Sequence, residues 1–240
     1  MNTNWKKQVS LLLFVVVVAG LLAIIGTAAA DSSVTPIPPD GYYEQLAMDW
    51  WQWAATVPAD QFHPLIKSGR VDCGLGREDQ TVWFLGGSFG GSGKATRACD
   101  VPADKFLFFP IVNIICSPFT WDDPDVLLAC AVNPGDVYGF EFDMYPVSAS
   151  IDGEDIPNLD SYYVVPGEIF DLGPVPDPNI FGADEGAIAS AATTGYYLLL
   201  PPLPEGKHTI EFIGETAVDY EPDPTRFDFT YILFVEGDPD

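Results

Sequence analysis

One serine of this sequence lies in a pattern that many hydrolases use. Gly86-Gly87-Ser88-Phe89-Gly90 matches G-x-S-x-G and directly follows an apolar segment, where a nucleophile elbow would place its serine. His208 comes later in the chain, with aspartates in between, as in a serine–aspartate–histidine triad. However, the elbow must lead into a helix, and Gly91-Ser92-Gly93-Lys94 is a poor helix start. We therefore expect no catalytic residues and keep a hydrolase that uses Ser88 and His208 as the alternative.

The strand pattern around His208 also favours a structural role for this histidine. Residues 207, 209 and 211 are polar, whereas His208, Ile210 and Phe212 fall on the opposite, more apolar face. We therefore expect the imidazole to be held within the fold.

A short acidic run is a candidate for weak calcium binding. Ca²⁺ takes six to eight oxygen ligands, and extracellular modules bind it at about 10⁻⁴–10⁻³ M. Asp122, Asp123 and Asp125 would supply carboxylates, although no EF-hand register fits the sequence. Two other interpretations are a solvated loop and the start of a helix at Pro124, where the helix dipole favours carboxylates.

The tryptophans near the N-terminus indicate a helix over residues 41–57. Apolar residues recur there at steps of three and four, Asp40 can cap the start, and Pro58 enforces the end. The stripe comprises Tyr43, Leu46, Ala47, Trp50, Trp53 and Ala54. Trp51 falls outside it and is our candidate ligand-binding residue, with a glycan or a cell-surface molecule as the partner.

Residues 1–30 have the pattern of a secretory signal peptide. Lys6 and Lys7 precede an apolar run, and Ala28-Ala29-Ala30 ends it with small residues. We expect cleavage after Ala30, an extended proline-rich linker over 31–40, and a secreted or otherwise extracytoplasmic location at the cell surface or in the periplasm. Contact with a membrane is expected only if the segment stays uncleaved as an anchor.

The four cysteines support this location, because exported cysteines usually pair. They allow three connectivities, of which we favour Cys73–Cys99 and Cys116–Cys130. A metal site is disfavoured, since the spacing contains no C-x-x-C.

The composition excludes two classes of protein. The chain of 240 residues has 35 acidic and 10 basic residues and a net charge of −25, which argues against a nucleic-acid partner. A hydrophobic share of 48% argues against disorder.

Beyond Pro58 the pattern predicts strands bounded by turn residues, over 81–85, 105–115, 137–144, 196–200, 207–213 and 227–235. Asp152-Gly153 predicts a tight hairpin, and residues 171–189 read as a long surface excursion. We therefore predict a mainly β fold with one N-terminal amphipathic helix. The helix would pack on a single antiparallel β-sandwich domain over 58–240, of jelly-roll or immunoglobulin-like type.

Several motifs together resemble a family of uncharacterised exported microbial β-rich proteins. The resemblance spans most of the chain after residue 30 and is carried by Trp50-Trp51-x-Trp53, Asp72-Cys73-Gly74, Val82-Trp83-Phe84-Leu85, Arg97-x-Cys99-x-Val101-Pro102, Leu107-Phe108-Phe109-Pro110 and Pro202-Leu203-Pro204-x-Gly206-x-His208-Thr209-Ile210. It implies an exported, compact, mostly β domain and brings no activity with it.

From the residues we expect an exported, non-catalytic protein that acts as an extracytoplasmic binding or surface-structural module. Besides the hydrolase, a subunit of a cell-surface assembly is the other alternative. No cofactor is expected other than the Ca²⁺ considered above.

Overall fold

Turn residues divide the chain into one long helix and a series of strands. The computed structural model describes residues 34–60, 62–89, 93–116, 124–138, 141–165, 167–219 and 221–237, all within the unit Val34–Asp240. The elements in chain order are α1 (Gly41–Thr56), β1 (Gly69–Arg70), β2 (Val82–Phe84), β3 (Gly93–Pro102), β4 (Phe106–Cys116), α2 (Pro124–Val132), α3 (Pro134–Tyr138), β5 (Phe142–Ile151), β6 (Glu154–Asp155), a 3₁₀ turn (Leu159–Tyr162), β7 (Tyr163–Val164), β8 (Phe170–Leu172), β9 (Ala189–Leu200), β10 (Gly206–Val218) and β11 (Thr225–Glu236).

The strands form two sheets, and the fold is mainly β as predicted. The six-stranded sheet has the order β1-β3-β11-β10-β5-β6, and the five-stranded sheet has the order β2-β4-β9-β7, with β8 also pairing with β9. Buried side chains from both sheets and from α1 form one hydrophobic core. Within it, the ring centroids of Phe109 on β4 and Phe212 on β10 are 5.0 Å apart.

The sheets are mixed, so the prediction of purely antiparallel pairing is wrong. β3 runs parallel to both β1 and β11, and β2 runs parallel to β4. Parallel neighbours need a crossover connection, which is usually a helix. Here β3, which belongs to the other sheet, makes the crossover between β2 and β4. An alternating pattern reports which face of a strand is buried and carries no information about the direction of its neighbour.

Helix α1 forms where the apolar spacing predicts it. The carboxylate of Asp40 accepts a hydrogen bond from the backbone N–H of Tyr42 at 2.9 Å, which caps the first turn. The whole predicted stripe is buried, but Trp51 is buried as well, with only 4% of its surface exposed. Outside its own helix, the Trp51 ring meets the ring of Phe89 edge to face at 6.4 Å. Next to it, Gln52 Nε2 donates to the carbonyl of Asp171 in β8 at 3.0 Å.

Two segments differ from the predicted strands. The strand expected over 137–144 begins only at Phe142, because residues 134–138 form the short helix α3. Asn133 Oδ1 accepts from the N–H of Gly135 at 3.1 Å there, and proline is favoured at a first helical position. Strand β3 was not predicted, since glycine, lysine and arginine interrupt its alternation. The predicted hairpin is present, with positive φ at Asp152 (53°) and Gly153 (84°).

The part of the predicted linker that the structure describes is docked on the sheet. The N–H of Ile37 donates to the carbonyl of Leu199 in β9 at 2.8 Å. The Tyr43 hydroxyl donates to the carbonyl of Ile37 and accepts from the N–H of Leu199. The expected signal peptide over 1–30 lies outside the described residues. Among the described helices, none is both long and apolar enough to cross a membrane.

Both favoured disulfides form. Cys73 bonds to Cys99 and ties the loop after β1 to β3, and Cys116 bonds to Cys130 and ties the end of β4 to α2. All four cysteines are buried. These two bonds fit an oxidising, extracytoplasmic environment.

Removing either disulfide should lower the free energy of unfolding by an amount that grows with the closed loop. The sequence separations are 26 and 14 residues, so the chain-entropy relation gives roughly 3.5 kcal/mol for C73S/C99S and roughly 3 kcal/mol for C116S/C130S. Urea unfolding of the two double variants measures these losses. Unchanged stability in either variant would contradict the structural role of that bond.

Candidate functional site

The structure does not bring Ser88 and His208 together. Ser88 Oγ lies beside Gly93, which pairs with Phe227 on β11, whereas His208 pairs with Leu233, six residues further along the same strand. At about 3.3 Å per residue this separation is roughly 20 Å. The hydrolase alternative therefore has no triad in this structure.

His208 instead secures the β5–β6 hairpin, as expected for a histidine held within the fold. Its Nδ1 lies 2.7 Å from Oδ2 of Asp152 in the hairpin turn, and its Nε2 lies 2.8 Å from the carbonyl of Pro204. The other carboxylate oxygen of Asp152 accepts from the N–H of Thr209 at 2.7 Å. Both ring nitrogens are thus engaged in structural contacts.

Ser88 lies in the wall of a mostly apolar cavity of about 340 Å³, which we call the apolar cavity. Residues 110–115 of β4 form one side, and Ser88 and Asn113 are polar groups in the wall. Five aromatic side chains line the rest: Trp51, Phe89, Phe181, Phe227 and Phe229. Trp51, our candidate binding residue, is therefore a cavity wall and is too buried to be an exposed platform for a sugar.

A hydrogen-bonded cluster lies behind the wall of the apolar cavity. The Tyr197 hydroxyl accepts from Asn113 Nδ2 at 3.1 Å and lies 3.2 Å from Thr193 Oγ1. Burial raises the pKa of Tyr197 to about 12, although hydrogen bonds with Thr193 and Asn113 oppose that shift. This cluster fixes the orientation of Asn113, which lines the cavity.

Close approach of the two sheets shapes the cavity beside β4. β4 has the extra residue Ile111 in its pairing with β9, and the pairing of β10 with β5 shifts between Ile213 and Gly214, where β5 has the extra residue Val147. A Cβ at Gly214 would lie 2.5 Å from Val112 Cβ, closer than real Cβ atoms approach. Glycine is therefore required where β10 approaches the bulge of β4, and bulges commonly occur next to binding sites.

The loop that carries Ser88 is held by a buried arginine. Arg97 is 2% exposed and donates to three main-chain carbonyls: Lys67 at 2.7 Å, Gly86 at 2.9 Å and Gly87 at 2.8 Å. Nη1 also contacts the Tyr231 hydroxyl at 3.3 Å. In the described part of the chain no carboxylate pairs with this guanidinium. This anchor was not recognisable from sequence, because its partners are backbone atoms.

A buried histidine holds the segment that contains Lys67, whose carbonyl accepts from Arg97, because the N–H of Lys67 donates to the carbonyl of His63 at 3.0 Å. His63 is fully buried; its Nδ1 accepts from the N–H of Leu65 at 3.1 Å, so Nε2 carries the proton and donates to the carbonyl of Ala54 at 3.0 Å. Burial lowers the pKa of His63 from its ordinary value of 6.5, and the positive charge of Arg97 lowers it further. The neutral imidazole is thus the form that fits this fold.

The proposed calcium ligands receive no support from the described residues. Asp122 and Asp123 lie outside them, and Asp125 lies in the first turn of α2, which is the helix-start alternative. Among the described residues, no group of three or more histidine, cysteine or acidic side chains could hold a metal ion.

Replacing Arg97 should destabilise the protein strongly. Arg97→Gln leaves buried carbonyls without donors, and each such group costs about 1–3 kcal/mol, so we expect a loss of about 3 kcal/mol or more. Arg226→Gln is the matched control, because the Arg226 side chain is 46% exposed and pairs with Glu215 at the surface. Its loss in free energy of unfolding should stay below about 1 kcal/mol. Equal losses in urea unfolding would refute the structural role of Arg97.

The stability of the protein should fall as the pH drops below 6.5. The unfolded chain protonates His63 near 6.5, whereas the folded chain binds that proton only at lower pH, so acid favours unfolding in this window. We expect a smaller free energy of unfolding at pH 5.5 than at pH 7.5. His63→Asn should reduce this difference and His208→Asn should retain it; a full difference in His63→Asn would contradict the assignment.

Comparison with known proteins does not identify the chain. No protein-family model matches it, and no curated protein matches it. Among solved structures, the solution structure of amebosin covers 61% of this chain and 100% of its own, with 11% identity and a TM-score of 0.20. The structure of PbICP-C in complex with falcipain-2 covers 66% and 99%, with 10% identity and a TM-score of 0.23. Likeness at this level carries no argument about fold or function.

Proposed function

We propose that this chain is an exported, non-catalytic binding protein that holds a small molecule with an apolar body in the apolar cavity. The cavity is the observation that supports this proposal. Its volume of about 340 Å³ lies in the usual range of ligand sites, about 300–1,000 Å³, which are typically lined by apolar and aromatic side chains with a few polar groups.

The walls of the cavity are held in place by the fold, which is the usual condition of ligand sites. Arg97 fixes the loop of Ser88, as described above. Asn179 fixes the loop of Phe181: its Nδ2 donates to the carbonyls of Pro176 and Ala183, and its Oδ1 accepts from the N–H of Phe181 at 3.1 Å. The rings of Phe89 and Phe181 then meet edge to face at 5.2 Å.

A glycan is a less suitable ligand than an apolar molecule for this cavity. Sugar hydroxyls need many hydrogen-bond partners, and a buried polar group without one is costly. Ser88 and Asn113 are few polar groups for that purpose, whereas the aromatic walls suit an apolar body.

The other parts of this proposal concern location and fold type. The disulfides support export, and we propose that residues 1–30 act as the signal peptide. We also propose that the two sheets, which share one core, form a sandwich of jelly-roll or immunoglobulin-like type. Membership of the exported microbial family described above remains part of the proposal.

A neutral apolar fluorophore should bind in the apolar cavity. N-phenyl-1-naphthylamine becomes fluorescent in apolar surroundings, so we expect saturable fluorescence with the oxidised protein. Ile115→Trp should abolish this signal by filling the cavity, because Ile115 lines it. Ile188→Trp places the same ring at a residue that is 59% exposed, and it should bind like the wild type. Absence of saturable binding, or equal binding by the two variants, would overturn the proposed function.

A further inference from the structure

The Ser88 loop separates a buried positive charge from the apolar cavity. Gly87 and Ser88 line the cavity, whereas Arg97 lies behind them and is 2% exposed. Two successive carbonyls of this loop, those of Gly86 and Gly87, turn toward the guanidinium and accept hydrogen bonds at 2.9 and 2.8 Å.

The direction of these carbonyls determines the direction of the next two amide groups. In a trans peptide the N–H points opposite to the C=O of the same unit. The N–H groups of Gly87 and Ser88 therefore point away from Arg97, toward the side of the loop where the cavity lies. Among the residues that the structure describes, neither N–H donates to a backbone carbonyl. Gly87 is buried and Ser88 is half-buried, and buried backbone N–H groups generally require an acceptor.

The electrostatics of this wall favour a negatively charged acceptor. The charge of Arg97 is not neutralised by a carboxylate in the described part of the chain, and the two peptide dipoles present their positive ends on the cavity side. Successive backbone N–H groups that point the same way form an anion-binding surface. The low dielectric of an apolar cavity strengthens such an interaction.

We propose, resting on the function proposed above, that the ligand is a monocarboxylic acid with an apolar tail. The carboxylate accepts hydrogen bonds from the N–H groups of Gly87 and Ser88, and the tail lies along β4 among the aromatic side chains. A water-sized group takes about 30 Å³ of liquid, so the cavity of about 340 Å³ has room for roughly ten such groups. Decanoic acid is therefore the probe that matches the cavity.

Displacement of bound N-phenyl-1-naphthylamine by decanoate and by 1-decanol, both at pH 7.5, tests the ligand class. Hydrogen bonds to a charged group lead us to expect that decanoate binds at least about tenfold more tightly than decanol. Equal or tighter binding of decanol, or displacement by neither compound, overturns the carboxylate proposal and leaves the proposed function intact. Absence of fluorophore binding overturns both.

Backbone NMR of the wild-type protein tests which atoms hold the carboxylate. We expect decanoate to move the amide protons of Gly87 and Ser88 downfield more than any others, and decanol not to do so. Ser88→Ala keeps the backbone N–H and removes the hydroxyl, so it should retain the preference for decanoate. Unmoved Gly87 and Ser88 amides, or a preference lost in Ser88→Ala, would overturn the assignment to the backbone.

Discussion

A guanidinium buried among main-chain oxygens is the constraint on which the candidate site depends. Arg97 lies on β3 of the six-stranded sheet, and the carbonyls of Gly86 and Gly87 directly follow β2 of the five-stranded sheet. One side chain therefore joins the two sheets at the loop that lines the cavity. A buried charge is tolerated only when its hydrogen-bonding groups are satisfied, so the loop must keep its carbonyls turned inward.

Contacts between aromatic rings hold the other walls of the apolar cavity. Trp51 meets the Phe89 ring edge to face at 6.4 Å, and Phe89 in turn meets Phe181. Helix α1 is anchored separately, because Trp50 Nε1 donates to the carbonyl of Leu85 at 2.9 Å. The helix, the Ser88 loop and the loop of Phe181 thus meet around one apolar space, and each is held by a hydrogen bond to the main chain.

Local patterns in the sequence predicted the local features of this fold. The spacing of Trp50 and Trp53 placed α1, Asp152-Gly153 placed the hairpin, and alternation around Ile210 placed β10. The favoured cysteine pairing also formed. The helix, the hairpin and the strand depend on neighbouring residues, whose geometry follows from helical and strand periodicity.

The site could not be predicted in the same way, because it depends on contacts between distant segments. Trp51 is buried beside Phe89, which is distant in the chain, and periodicity within the helix cannot report such a contact. The role of Arg97 depends on main-chain carbonyls. Every residue has one, so no residue type in the sequence indicates which carbonyls Arg97 binds. The G-x-S-x-G pattern lies in a loop that lines the apolar cavity, but the structure does not place His208 beside Ser88.

The parallel pairing of β3 with β11 has a consequence for how the chain matures. β11 lies between β3 and β10 in the sheet, yet more than a hundred residues separate the end of β3 from its start. A polypeptide emerging from a ribosome or a translocation pore cannot close this sheet until β11 has appeared, and long-range pairing of this kind is slow. The edges of the early strands must therefore stay unpaired until the C-terminal strand is available.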